Sequence, residues 1–206
     1  MPDISAILDA RAAVWTAAIF TRRSRRAYDD RPADATALTA LGQLAEHFRP
    51  YDDARVAILP TSPEDMFTGL VGSYGRITGA VSAMVFLGSG DALGRDDHVG
   101  YVSAALMLEA TALGIATVWV GGGIDRKRAL ELTSLGADEL VLGASPLGNP
   151  VAETTAFGRP KREVPTLERR KPLATLAPAM SAAWPAWARA AVEHAQWAPS
   201  AVNRAL

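Results

Sequence analysis

Nine consecutive residues, Gly79 to Leu87 (Gly-Ala-Val-Ser-Ala-Met-Val-Phe-Leu), carry no charge at all. Such a run reads as a strand buried on both faces, so structure must cover it on both sides. The chain supplies that cover by alternating helices with strands. Ile4, Leu8, Trp15 and Ile19 fall on one face of a helix over Asp3 to Phe20. Asp34 can cap a second helix, which carries Leu38, Leu41, Leu44 and Phe48 along one side. Arg55 to Leu59, closed by Pro60, reads as a strand, and Pro63-Glu64-Asp65 suits the first turn of another helix. Val99, Val102, Leu106, Ala110 and Leu113 recur at helical spacing, and Gly114 stops them. Ile115 to Val120 is then a strand running into Gly121-Gly122-Gly123, Asp125 caps a helix over Arg126 to Ser134, and Glu139 to Gly143 is a short strand.

From Ser145 the prolines and glycines multiply, and residues 145–178 read as an extended arm. A last helix near Pro185 to Trp197 precedes Ala198-Pro199-Ser200-Ala201-Val202-Asn203. With 206 residues, 49% of them hydrophobic, the chain suffices for a single domain over residues 1–206 with one sizeable core. The alternation makes it a layered α/β or α+β domain.

A formal charge of −1 argues against a nucleic-acid binder or a polybasic membrane binder. The chain has no cysteine, which removes disulfides and thiolate chemistry, and its three histidines lie far apart, which argues against a histidine zinc site. The longest apolar tract, Ala104 to Val120, is interrupted by Glu109, Thr111, Gly114 and Thr117, so it reads as helix, stop and strand rather than a membrane span. With no leader pattern at the N-terminus, the cytoplasm is the expected compartment.

The basic residues are unevenly placed. Arg22, Arg23, Arg25, Arg26 and Arg31 form one cluster, and Arg159, Lys161, Arg162, Arg169, Arg170 and Lys171 form a second. Together they hold eleven of the 21 lysines and arginines. Two positive loops on a nearly neutral protein suit one compact anion, and with the Ser24 hydroxyl they match a phosphate monoester. On charge alone a pair of solvated loops, or pairing with Asp29, Asp30, Glu163 and Glu168, accounts for them more simply. Gly121-Gly122-Gly123 lets a ligand approach bare backbone, or is simply a tight turn. Gly88-Ser89-Gly90-Asp91 lacks the spacing of a dinucleotide loop. Glu109 is expected at a solvent-facing helix edge, His194 beside Trp187 and Trp197 as a packed side chain, Trp119 in the core, and Tyr74 and Arg76 in a loop that could line a pocket.

Four pieces of the chain resemble the flavin-dependent nitroreductase family. Arg22-Arg23-Ser24-Arg25-Arg26-Ala27-Tyr28 is similar to its Arg-Arg-Ser-x-Arg-x-Phe motif, and Gly100 to Gly122 to its central helix, glycine stop and Trp-bearing strand. Leu142 to Pro150 and Gly158 to Arg162 resemble its Gly-x-Pro strand end and basic C-terminal stretch. Ala198 to Arg204 is similar to its Ala-Pro-Ser-x-x-Asn-x-Gln-Pro-Trp segment, which usually follows the second helix and here stands near the end, as in a rearranged-order branch.

The resemblance implies an α+β fold with a central sheet flanked by helices and the extended C-terminal arm. It implies FMN as cofactor, NAD(P)H as donor, a nitro compound, quinone or similar small acceptor, and a homodimer with flavin at the subunit interface. Carried across by position, Arg22, Ser24 and Arg26 hold the phosphate and ribityl chain with Arg23 in reach, and Arg159, Lys161 and Arg162 close over the phosphate. Gly121 and Gly122 face the ring, and Pro199, Ser200 and Asn203 meet its edge. No side-chain acid, base or nucleophile is required, because the redox chemistry is the flavin's. Ala205-Leu206 stands where the family has Gln-Pro-Trp, so a truncated member with loose residues from about Ser200 and weak flavin binding is expected. The rival reading is a scaffold that binds flavin, or a partner, without turnover.

Overall fold

The computed structural model describes residues 3–61, 64–67, 76–90, 93–134, 136, 138–151 and 170–199. Among these, the elements run α1 (Ile4–Thr21), α2 (Ala35–His47), β1 (Ala54–Leu59), a single 3-10 turn (Glu64–Met66), β2 (Ser82–Ser89), α3 (Arg95–Ala112), β3 (Ala116–Thr117), α4 (Arg126–Leu132), β4 (Glu139–Gly148), α5 (Leu173–Leu176) and α6 (Ala186–Ala195). The strands form one antiparallel sheet in the order β1-β2-β4-β3. The class is α+β.

Side-chain alternation along β2 divides the core into two layers. Met84 and Phe86 face α1, α2 and α3, where they join Trp15, Leu38, Leu41, Phe48, Val102 and Leu106. Ala83, Val85 and Leu87 face the other way, with Met66, Phe67, Val118, Val120, Ala129 and Ala144. The doubly buried strand expected from the sequence is therefore the second strand of the sheet, starting at Ser82 rather than Gly79. Asp34 and Asp125 cap α2 and α4 as expected, accepting the N–H of Ala37 at 2.8 Å and of Arg128 at 2.9 Å.

Three expectations about the elements need correction. The helix expected to start at Pro63-Glu64-Asp65 is, in its described part, only the 3-10 turn of Glu64–Met66. The arm does not begin at Ser145, because β4 runs on to Gly148, and α5 interrupts the arm at Leu173. Residues 152–169 lie outside the described residues. The strand expected over Ile115–Val120 is paired only at Ala116–Thr117, with one further bridge from Val120 to Ala144.

Pro146 explains the last two corrections together. Val120 and Ala144 exchange both N–H···O bonds at 2.9 Å, so two residues further along Val118 and Pro146 also stand at a hydrogen-bonded position. Pro146 has no N–H to give there. The Ser145 hydroxyl relays the other bond of the pair, accepting the Val118 N–H at 3.2 Å and donating to the Pro146 carbonyl at 2.9 Å. On its other side Pro146 stands opposite Ala83 of β2. The ladder between these strands therefore breaks at Pro146, where only the serine relay joins the proline carbonyl to Val118.

α1 is long and apolar enough to cross a membrane on length and composition, with mean hydropathy 1.3, but one edge of it packs on α3. Trp15 donates its indole N–H to Glu109 at 2.7 Å, and Arg11 lies 3.3 Å from the same carboxylate. Glu109 is 3% exposed, so the expected solvent-facing edge is wrong. A carboxylate on an apolar face can be buried when two donors from a neighbouring helix meet it, and their positions in sequence give no warning of that.

Candidate functional site

The arginine motif leaves the end of α1 in extended form. Arg22 caps the helix, its N–H bonding Ala18 O at 2.8 Å. Ser24 then pairs in parallel with Thr117 of β3, and the Arg25 N–H reaches Thr117 O at 2.9 Å. Further on, the Tyr28 N–H donates to Thr78 O at 2.9 Å, and the Thr78 N–H to Arg26 O at 3.0 Å. The Val151 N–H donates to Ala27 O at 3.1 Å from the other flank. Tyr28 is buried and its hydroxyl donates to the Arg25 carbonyl at 2.5 Å. Gly79 makes this fit possible: its φ is +74°, and a Cβ there would lie 2.1 Å from the Tyr28 carbonyl oxygen.

Positive charge gathers where the motif starts. Arg22 has its pKa lowered to about 10, first by burial and then by the nearby charges of Arg170 and Arg23. Its Nη1 is buried and has no hydrogen-bond partner among the described residues. Arg170 comes from the far end of the chain. Its Nη1 donates to the carbonyls of Gln196 and of Ala198, the latter at 3.0 Å, and its guanidinium lies 5.4 Å from the Trp197 ring. Burial and the Arg23 charge hold its pKa below the usual arginine value. Trp197 and His194 pack edge-on against Phe20 at 5.2 and 5.5 Å, which holds this segment to the end of α1. Three arginines therefore share one neighbourhood, and among the described residues no carboxylate pairs with any of them.

A buried, unpartnered guanidinium beside two like charges costs folding free energy and is a place for an anion. The sequence places Arg170 in the second basic cluster, which suits the same anion as the first, but the family resemblance carries over Arg22 and Arg23 and not Arg170. Ser24 is exposed and Arg26 half-buried on the same extended segment. Thr117, paired with Ser24, stands four residues before Gly121, about 13 Å along an extended chain.

Gly121 and Gly122 are exposed, and a Cβ on either would meet no atom within 4 Å. Among the described residues no packing requires glycine at these two positions, whereas the φ of Gly123 is +71°. Arg126 steadies the turn, donating from Nη2 to Gly121 O at 3.2 Å and from Nε to Val141 O at 3.1 Å. Pro199 is exposed at the end of the described C-terminal segment. Arg159, Lys161, Arg162, Ser200 and Asn203 lie outside the described residues, as do Tyr74 and Asp91. Trp119 is partly buried and packs on Phe86 at 4.6 Å.

Comparison with known proteins gives a consistent result. Residues 15–205 match the family model described as "Putative TM nitroreductase". Among solved structures, the chain is similar to a nitroreductase family protein from Clostridium difficile 630, at 21% identity and TM-score 0.56 over 84% of this chain and 98% of that one. It is similar to an oxidoreductase containing FMN, at 17% identity and TM-score 0.55 over 81% and 90%. It is similar also to a nitroreductase with bound FMN from Bacteroides fragilis NCTC 9343, at 18% identity and TM-score 0.51 over 73% and 96%. No curated protein matches the chain.

Proposed function

The chain belongs to this nitroreductase family, and from that premise we propose that it is an FMN-dependent oxidoreductase that uses NAD(P)H to reduce a nitro compound, quinone or similar small acceptor. The observation that carries the proposal is the buried Arg22 Nη1 without a partner, set beside Arg23 and Arg170. These residues fit the phosphate of FMN, whose two negative charges would supply what the three guanidiniums lack.

In this reading Arg22, Arg23 and Arg170 hold the phosphate, and Ser24 and Arg26 continue along the ribityl chain. Arg159, Lys161 and Arg162 are proposed to close over it from the segment that precedes Arg170. Gly121 and Gly122 offer backbone to the ring where a side chain would stand in its way, and Pro199, Ser200 and Asn203 are proposed at its edge. When bound, FMN supplies hydride and electron transfer, and the protein supplies position and charge. The setting is proposed to be cytoplasmic, where NAD(P)H is found. The assembly is proposed to be a homodimer, in line with the exposure of Trp187 at 75% and of Val14 and Phe20 at 40% each.

The visible absorption spectrum of the purified protein tests the reading. Arg22→Ala with Arg26→Ala removes two charge-assisted contacts of about 1.5–3 kcal/mol each, so flavin affinity should fall about a hundredfold or more. Retention of full flavin after dialysis of the double variant would place the phosphate elsewhere. Gly122→Val is a second probe, because the open space around it leaves folding undisturbed. It should weaken flavin retention with little change in melting temperature.

A further inference from the structure

The chain leaves the sheet after Val120 with its ladder unfinished. Val120 and Ala144 exchange both N–H···O bonds at 2.9 Å, and past them no backbone bond joins the glycine turn to β4 among the described residues. Arg126, the first residue of α4, fills that place with a side chain. It donates from Nη2 to Gly121 O at 3.2 Å and from Nε to Val141 O of β4 at 3.1 Å. We propose that Arg126 is a positioning residue at the ring end of the FMN site. By drawing the Gly121 carbonyl toward β4 it aims the Gly122 N–H outward at the flavin ring, where that donor favours the reduced form. The inference rests on the flavin reading and deepens it.

The peptide that joins Gly121 to Gly122 is planar and trans, so its C=O and its N–H point in opposite directions. With the oxygen held against Arg126, the Gly122 N–H faces away from the guanidinium and from β4. Among the described residues nothing accepts it, nor the N–H of Gly121 or Gly123. Gly122 is exposed, so this donor opens to solvent and to whatever binds there.

Three glycines in a row would otherwise make a loose turn, because glycine has the widest choice of backbone conformation. The turn is pinned at its ends, by the Val120 bonds and by the Asp125 N–H, which donates to Met66 O at 2.9 Å. Ile124 adds a buried anchor beside Ala129. Between these points, among the described residues, Arg126 alone bonds the turn's own backbone. Arginine suits the task because Nε and Nη2 lie along one rigid edge, whereas the single ammonium of lysine cannot hold two carbonyls in fixed geometry. A donor fixed before the ligand arrives costs no reorganisation, and it acts most on the form that carries more negative charge.

The test compares the parent with Arg126→Met, Arg126→Lys and Lys127→Met. Oxidised FMN is titrated into flavin-free protein by fluorescence, and the midpoint potential of the bound flavin is read against a reference dye without oxygen. Arg126→Met and Arg126→Lys should each weaken oxidised FMN about threefold and reduced FMN about thirtyfold. That tenfold difference lowers the two-electron potential by about 30 mV. Lys127→Met removes an adjacent positive charge and should leave the potential unchanged. In flavin-free protein the nitrogen-15 order parameter of Gly122 should fall from about 0.85 to below about 0.6 in both Arg126 variants. A parent-like potential in Arg126→Lys would mean that charge acts and not the fork, and it overturns the proposal. An unchanged potential or a rigid Gly122 in Arg126→Met overturns it as well, with the flavin reading intact. A parent that takes up no FMN overturns the flavin reading itself, and this inference with it, so the two failures are told apart.

Discussion

Replacing Gly79 by alanine should cost far more than replacing Gly90, although both glycines have positive φ, +74° and +63°. Either substitution puts an L side chain in left-handed backbone, worth about 1–2 kcal/mol. At Gly90 no described residue lies within 4 Å of the new Cβ, so the cost stops there. At Gly79 the Cβ would lie 2.1 Å from the Tyr28 carbonyl oxygen, and relief needs about 1 Å of separation between two backbone segments. The bonds that clamp those segments, Tyr28 N–H to Thr78 O at 2.9 Å and Thr78 N–H to Arg26 O at 3.0 Å, would be stretched past useful length. Two lost bonds add about 2 kcal/mol. Gly79→Ala should therefore unfold about 4–8 °C below Gly90→Ala in a thermal melt. It should also weaken anion binding, because Arg26 belongs to the displaced segment. Equal melting temperatures for the two variants would show that Tyr28 can move without penalty, and the argument for a clamped motif would fail.

Glu109→Ala should destabilise the protein by about 1–3 kcal/mol in urea unfolding, because it leaves the buried Trp15 indole N–H without its 2.7 Å partner, and the tryptophan emission should change with it. Arg22→Met should raise the stability of flavin-free protein, since burial and two neighbouring arginines disfavour the Arg22 charge on folding; an unchanged or lower urea midpoint would contradict this. Glu139 has its pKa held below 4.5, first by its hydrogen bonds from Arg55 and next by the Gly136 N–H. The folded form binds its proton less tightly than the unfolded chain, so its contribution is present above pH 4.5 and lost as pH falls below it. In Glu139→Gln the acid limb of the stability profile should be shallower than in the parent.

The helices and the two-layer core were legible because they depend on local spacing and capping. Leu38, Leu41 and Leu44 are buried on α2 as their period requires, and Asp34 caps it. What the sequence concealed was decided by partners distant along the chain. Pro146 reads as a strand breaker until Ser145 is seen to bridge it to Val118. Glu109 reads as an exposed acid until Trp15 and Arg11, more than ninety residues away, are placed against it. In the candidate site, the local motif identified Arg22 and Arg23, but Arg170 joins them only through the packing of Trp197 on Phe20. The sequence put it in a basic run with Arg169 and Lys171, but which member of that run would reach Arg22 was not written in its neighbours.

The clamped motif also has a consequence for the order in which the protein is made. Residues 22–29 are contiguous, yet they are fixed by Thr78, by Thr117 and by the stretch Asn149–Val151, with Asp29 and Asn149 separated by 120 positions. Contacts of such long range close late, because the loop entropy falls due before the contact is made. A nascent chain therefore carries its arginines out of the ribosome early but cannot use them until Val151 has followed. Helix formation should be well advanced during refolding while anion capture still lags, so that the first-synthesised binding residues are among the last to become competent.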